Sequence, residues 1–113
     1  MIKIYHNPRC SKSRSGLEIV EKSGKEFEVI PYLKNPLTKE ELKEVVKLLN
    51  ISADALIRKN EADWKNNFRG KDLTEDQLIE AMIAFPKLIE RPIVVNGKKA
   101  VIGRPPEKIS EIL

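Results

Sequence analysis

Apolar positions alternate with Lys3 at the start of the chain, as Ile2, Ile4 and Tyr5. That period, with β-branched and aromatic members, predicts a strand over residues 2–5. The period then lengthens. Gly16, Leu17 and Val20 share one side of a helix, so residues 11–22 are predicted helical, with Ser23-Gly24 as the stop. Phe27, Val29 and Ile30 predict a second strand. A strand, a helix and a strand so closely spaced form a βαβ unit, whose two strands run parallel.

The middle of the chain is helical. Thr38-Lys39-Glu40-Glu41 matches a capping box, and Leu42, Val45, Val46 and Leu49 follow at i, i+3, i+4 and i+7. Ser52 can cap a short helix carrying Leu56 and Ile57. Residues 59–71 are polar apart from Trp64 and Phe68, and read as irregular or briefly helical. Thr74 to Gln77 make a second capping box ahead of Leu78, Ile79, Met82 and Ile83, and Pro86 ends that helix.

The last third returns to strand. Asn96-Gly97 between Ile93-Val94-Val95 and residues 98–102 is a strong short-range hairpin signal. Centring the turn on Asn96-Gly97 pairs Val95 with Lys98 and sets Arg91 opposite Ile102. Pro105-Pro106 then opens a final helix with Ile109, Ile112 and Leu113 on its apolar side. The expected architecture is α/β: a four-stranded mixed sheet, with a helical insertion at about 37–89 between a βαβ half and a ββα half. At 113 residues this is a single domain, 1–113, with a helical subdomain.

Composition narrows the function. Twenty-one basic and seventeen acidic residues leave a net charge of +4, and the two signs are interleaved. Nucleic-acid binding needs clustered charge, and aromatics to stack on bases are scarce, so no nucleic-acid partner is expected. No apolar run approaches a membrane span, so no membrane partner is expected either. The first residues read as a strand rather than a signal peptide, and a reducing, cytoplasmic setting is expected. Cys10 is the single cysteine and His6 the single histidine. An internal disulfide and a zinc site built on thiolates are thereby excluded, and no metal is expected.

Cys10 follows a strand and starts a helix, with Arg9 and Arg14 nearby. Helix N-terminal N–H groups and neighbouring cations favour thiolate over thiol, so Cys10 is a candidate nucleophile of lowered pKa. Its motif, Cys10-Ser11-Lys12-Ser13, is C-x-x-S. A reacted Cys10 has no second cysteine of its own to resolve it and needs an external thiol. Ser13 can donate toward the sulfur or serve as first-turn polarity. His6 can tune the loop or act as a structural partner. Arg91 and Arg104 flank the open end of the hairpin, where two guanidinium groups repel unless an anion joins them. Arg58 lies after a short helix, and sequence spacing alone does not bring it to Cys10.

The run His6-Asn7-Pro8-Arg9-Cys10-Ser11-Lys12-Ser13-Arg14 resembles the signature of the ArsC family, the glutaredoxin-linked arsenate reductases and their relatives. Tyr32-Leu33-Lys34-Asn35-Pro36, Leu56-Ile57-Arg58-Lys59-Asn60, Glu90-Arg91-Pro92-Ile93-Val94-Val95 and Gly103-Arg104-Pro105-Pro106 resemble family segments in the same order. The short chromosomal members are the nearer match. The resemblance implies a thioredoxin-like fold with a cis Arg91-Pro92 bond. It implies Cys10 as catalytic nucleophile and Arg58, Arg91 and Arg104 as the oxyanion-binding set, with His6, Ser13, Arg14 and Pro92 in support. It implies a monothiol oxidoreductase that reduces arsenate to arsenite, with no bound cofactor, glutathione as co-substrate and glutaredoxin as partner. Two other branches are alternatives. Glutathione-dependent thiol reductases lack the full arginine set, and Spx-like RNA polymerase-binding regulators usually carry C-x-x-C.

Overall fold

The computed structural model describes residues 1–113. Four strands, β1 (Ile2–Tyr5), β2 (Phe27–Ile30), β3 (Ile93–Asn96) and β4 (Lys99–Ile102), form one mixed sheet in the order β2-β1-β3-β4. β1 and β2 are parallel, whereas β1–β3 and β3–β4 are antiparallel. The crossover between the parallel pair is α1 (Ser11–Lys22). Residues 1–35 and 91–113 make one compact unit, and residues 36–90 make another.

The sheet unit is built on an aliphatic core. Ile2, Ile4, Val20, Val94 and Ile109 are buried together, with Leu17, Phe27, Val101 and Ile112 packed against them. These residues come from β1, α1, β3 and the C-terminal segment, so one cluster joins sheet to helices. Residues 106–112 wind as a 3-10 helix rather than the α-helix expected from sequence. Seven residues is long for a 3-10 run, which seldom exceeds three or four.

The hairpin turn sits one residue later than expected, which moves every cross-strand partner by two residues. Asn96 stays in β3 opposite Lys99, and the two-residue loop is Gly97-Lys98. Gly97 has φ +63° and takes the first central position, where a type II′ turn wants glycine. The Asn96 side chain donates to the Ile112 carbonyl at 2.6 Å, which holds Asn96 within the strand. Ile93, not Arg91, therefore faces Ile102. One bond continues past the strands: the Gly103 N–H donates to the Pro92 carbonyl at 2.8 Å, and the Arg104 N–H then turns back to the Ile102 carbonyl at 2.8 Å.

The second unit contains α2 (Lys39–Leu49), α3 (Ala53–Leu56), α4 (Ala62–Asn67), α5 (Glu75–Ala84) and a 3-10 turn at Pro86–Leu88. Thr38 and Thr74 each close a capping box, with Glu41 and Gln77 respectively. Ser52 makes no capping bond. The first N–H of the helix, that of Ala53, donates to a carboxylate oxygen of Glu75 at 2.8 Å. Leu42, Val45 and Val46 on α2, and Leu78, Ile79 and Met82 on α5, are buried. Lys39 bridges α2 to Asp76 and Glu80 of α5 at 2.7 and 2.9 Å. Exposed pairs of this kind contribute little, so apolar packing holds the two helices.

Thr38→Ala removes the acceptor for the Glu41 N–H, and is expected to lower unfolding stability by about 1 kcal/mol. Urea denaturation measures this, and an unchanged midpoint would show that the capping box contributes nothing.

Candidate active site

The loop between β1 and α1 is tied down by its own polar groups. The Asn7 carbonyl accepts the Cys10 N–H at 3.1 Å, and the Asn7 side-chain oxygen accepts the Arg9 N–H at 3.0 Å. The Asn7 N–H donates to Ser13 Oγ at 2.9 Å. Ser13 is fully buried, and its hydroxyl lies 2.7 Å from His6 Nδ1. The Arg14 guanidinium donates to the Pro8 carbonyl at 2.9 Å, closing the loop from its exposed side. Asn7 was not foreseen as part of the site. Its signal was the Asn-Pro dipeptide, which favours turn initiation and lets the amide bond its own backbone.

This loop delivers Cys10 to the N-cap of α1, in extended backbone at φ −98° and ψ 123°. An N-cap side chain stands before the free N–H groups of the first turn. The sulfur closes no short capping bond, but the Ser13 and Lys12 N–H groups are directed at it. Burial pushes the Cys10 thiol up. The Ser13 N–H, the Arg91 guanidinium and the Lys12 N–H outweigh that push, and the net result lies below the ordinary thiol value. The part of Ser13 that serves the sulfur is therefore its backbone N–H, while its hydroxyl is committed to His6 and Asn7. Burial also lowers the pKa of His6, which favours the neutral ring as the partner of Ser13.

Within the sheet unit, His6, Cys10, Ser13 and Arg14 come from the first loop and helix, and Arg91, Pro92 and Arg104 from the two ends of the hairpin. The Arg104 guanidinium donates to the Arg91 carbonyl at 3.4 Å. Both Arg91-Pro92 and Arg104-Pro105 are cis; the second was not anticipated. Pro92 is buried. Arg58 belongs to the helical unit. Its N–H donates to the Leu88 carbonyl at 2.7 Å, and its guanidinium meets Glu61 at 3.4 Å and Glu90 at 3.7 Å. Those two carboxylates were also missed from sequence. Glu61 could be read from its i,i+3 spacing, whereas Glu90 is joined to Arg58 only through the Ile57–Ile89 bridge. No three His, Cys, Asp or Glu residues are grouped to hold a metal ion, and no helix is long and apolar enough to cross a membrane.

The rate of Cys10 alkylation against pH should give a midpoint below about 8.5, the value of a free thiol. Arg91→Ala removes a cation from the sulfur and should raise that midpoint toward the free value. A wild-type midpoint at or above the free value would contradict the stabilised thiolate.

The ArsC family model matches residues 5–112. Over 99% of its length the chain is 48% identical to a protein of Escherichia coli (strain K12) named "Uncharacterized protein YfgD", covering 96% of it. It is 43% identical to an arsenate reductase of Acidiphilium multivorum, covering 99% of this chain and 80% of that one. A solved structure of an arsenate reductase from Vibrio cholerae superposes with a TM-score of 0.94 at 45% identity, covering 99% of this chain and 97% of that one. The shared architecture is thioredoxin-like, as the signature segments implied. By its signature, its strand order and these matches, the chain belongs to the ArsC family.

Proposed function

We propose that the protein reduces arsenate to arsenite through a covalent adduct on Cys10. The observation that carries this reading is the lone sulfur at the head of α1, where backbone N–H groups and Arg91 favour its anion. Relatives named arsenate reductase support arsenate as the oxyanion. A thiolate and an arsenate ion repel each other, so attack requires positive charge around the anion. Arg91 and Arg104 supply it from the hairpin, and the family signature adds Arg58 as a third cation for the anion. Guanidinium suits the task because its fork can bind two oxygens at once.

In the proposed reaction, an arsenic–sulfur bond forms to Cys10 as an arsenic–oxygen bond breaks, and the oxygen leaves as water once protonated. Arsenic is still pentavalent at that stage. Glutathione then displaces a second oxygen as water. A glutaredoxin thiolate attacks the glutathione sulfur, and the electron pair of its bond to arsenic stays on arsenic, which becomes trivalent. The oxidised product is a mixed disulfide between glutaredoxin and glutathione. Water finally releases arsenite and restores Cys10. The two electrons thus come from external thiols, as a chain with one cysteine requires, and the reducing cytoplasm keeps such thiols available.

A coupled assay with arsenate, glutathione and glutaredoxin should show turnover by the native protein and none by Cys10→Ser. Arg58→Ala, Arg91→Ala and Arg104→Ala should each lower kcat/KM for arsenate tenfold or more, about 1.4 kcal/mol, with little change in urea midpoint. Absence of turnover by the native protein, where a reference enzyme works, would overturn arsenate as the substrate. Unfolding of the arginine variants would make those residues structural.

A further inference from the structure

Gly16 and Gly103 lie in the sheet unit, and neither has a positive φ. Space, not backbone conformation, demands glycine at both. A Cβ at Gly16 would stand 2.7 Å from Pro92 Cγ and 2.9 Å from Ile109 Cδ1. A Cβ at Gly103 would stand 2.8 Å from Ile109 Cδ1 and 2.9 Å from Pro92 Cγ. Carbon atoms prefer separations of roughly 3.5–4.0 Å, so either methyl must displace something. The two glycines press on the same two side chains from α1 and from the exit of β4.

Those two side chains yield differently. Ile109 Cδ1 is the end of a flexible chain and can swing away. The Pro92 ring is closed on its own backbone and moves only if the backbone moves. That backbone accepts the Gly103 N–H at 2.8 Å and is bonded directly to Arg91. Gly16 also sits on the helix that Cys10 begins, so a push between Gly16 and Pro92 changes the spacing between the helix carrying the sulfur and the segment carrying the guanidinium.

We propose that Gly16 and Gly103 are positioning residues for Arg91: by letting α1 and the end of β4 touch the Pro92 ring, they set how closely the Arg91 guanidinium approaches the Cys10 sulfur. The inference rests on the reading of Arg91 as the cation of the Cys10 site. Other charges near Cys10 are attached elsewhere. Arg14 is turned onto the Pro8 carbonyl, His6 is paired with Ser13, and Arg9 and Lys12 are exposed on the loop and first turn. None is carried by the Pro92 segment.

Iodoacetamide alkylation of the full chain against pH tests this without arsenate, so its outcome is separate from that of the turnover assay. Gly16→Ala should raise the Cys10 midpoint by roughly half a unit to one unit. Val20→Ala removes core packing from the same helix without a methyl against Pro92, and should lower the urea midpoint while leaving the alkylation midpoint unchanged. Adding Ile109→Val to Gly16→Ala removes the Cδ1 obstacle but leaves the Pro92 clash. That double variant should regain stability and keep the raised alkylation midpoint, and it serves as the test if Gly16→Ala alone does not fold. Gly103→Ala should behave as Gly16→Ala does. A wild-type midpoint in the folded glycine variants overturns the proposal. So does a midpoint that Val20→Ala raises equally, or one that Ile109→Val restores.

Discussion

Burial of the Cys10 sulfur favours the neutral thiol, and the site must reverse that preference to have a nucleophile at all. Two kinds of group do so. The N–H groups of Lys12 and Ser13 are fixed parts of the helix and lose no freedom in facing the sulfur. The Arg91 guanidinium is a full charge, but it arrives from a strand far away in sequence. The loop bonds of Asn7 serve the first kind by placing Cys10 at the helix start. The sheet serves the second, because β1, which leads into the loop, pairs directly with β3, which leads out of Arg91.

Adjacency of β1 and β3 therefore links the fold to the chemistry. The two strands lie together although more than eighty residues separate them, and residues 36–90 occupy the gap as their own compact unit. Within the sheet unit, α1, the Pro92 ring and the C-terminal 3-10 helix meet through Gly16, Gly103 and Ile109. Packing there is tight enough that a single methyl has no room. Interiors of that density transmit displacements instead of absorbing them, which makes the thiolate environment sensitive to positions that never touch the sulfur.

Elements with a local cause were legible in the sequence. The span of α1, both threonine capping boxes and the parallel β1–β2 pair follow from periodicity and from contacts a few residues apart. The position of Cys10 at a helix start was legible for the same reason. What was missed depends on partners distant in the chain. The hairpin turn moved by one residue, with Asn96 bonded to Ile112, and the first N–H after Ser52 is taken by Glu75, more than twenty residues on. The role of the Ser13 hydroxyl was open until its neighbours, His6 and the Asn7 N–H, were in place. Spacing alone likewise gave no reason for glycine at Gly16 or Gly103, since neither position has a turn geometry to betray it.

The corrected register places Arg91 and Arg104 just beyond the last bonded pair, Pro92 and Gly103, at the base of one two-stranded ribbon. Beyond that pair no backbone bond joins the two arginines: the Arg104 N–H turns back to the Ile102 carbonyl, and the Arg104 guanidinium donates to the Arg91 carbonyl at 3.4 Å. Strand pairing permits only whole-residue steps, so the place where the ribbon ends shifts by jumps and not by drift. In the proposed reaction, the ribbon thus sets where the two arginine segments begin, and the side chains around them set how an anion is held.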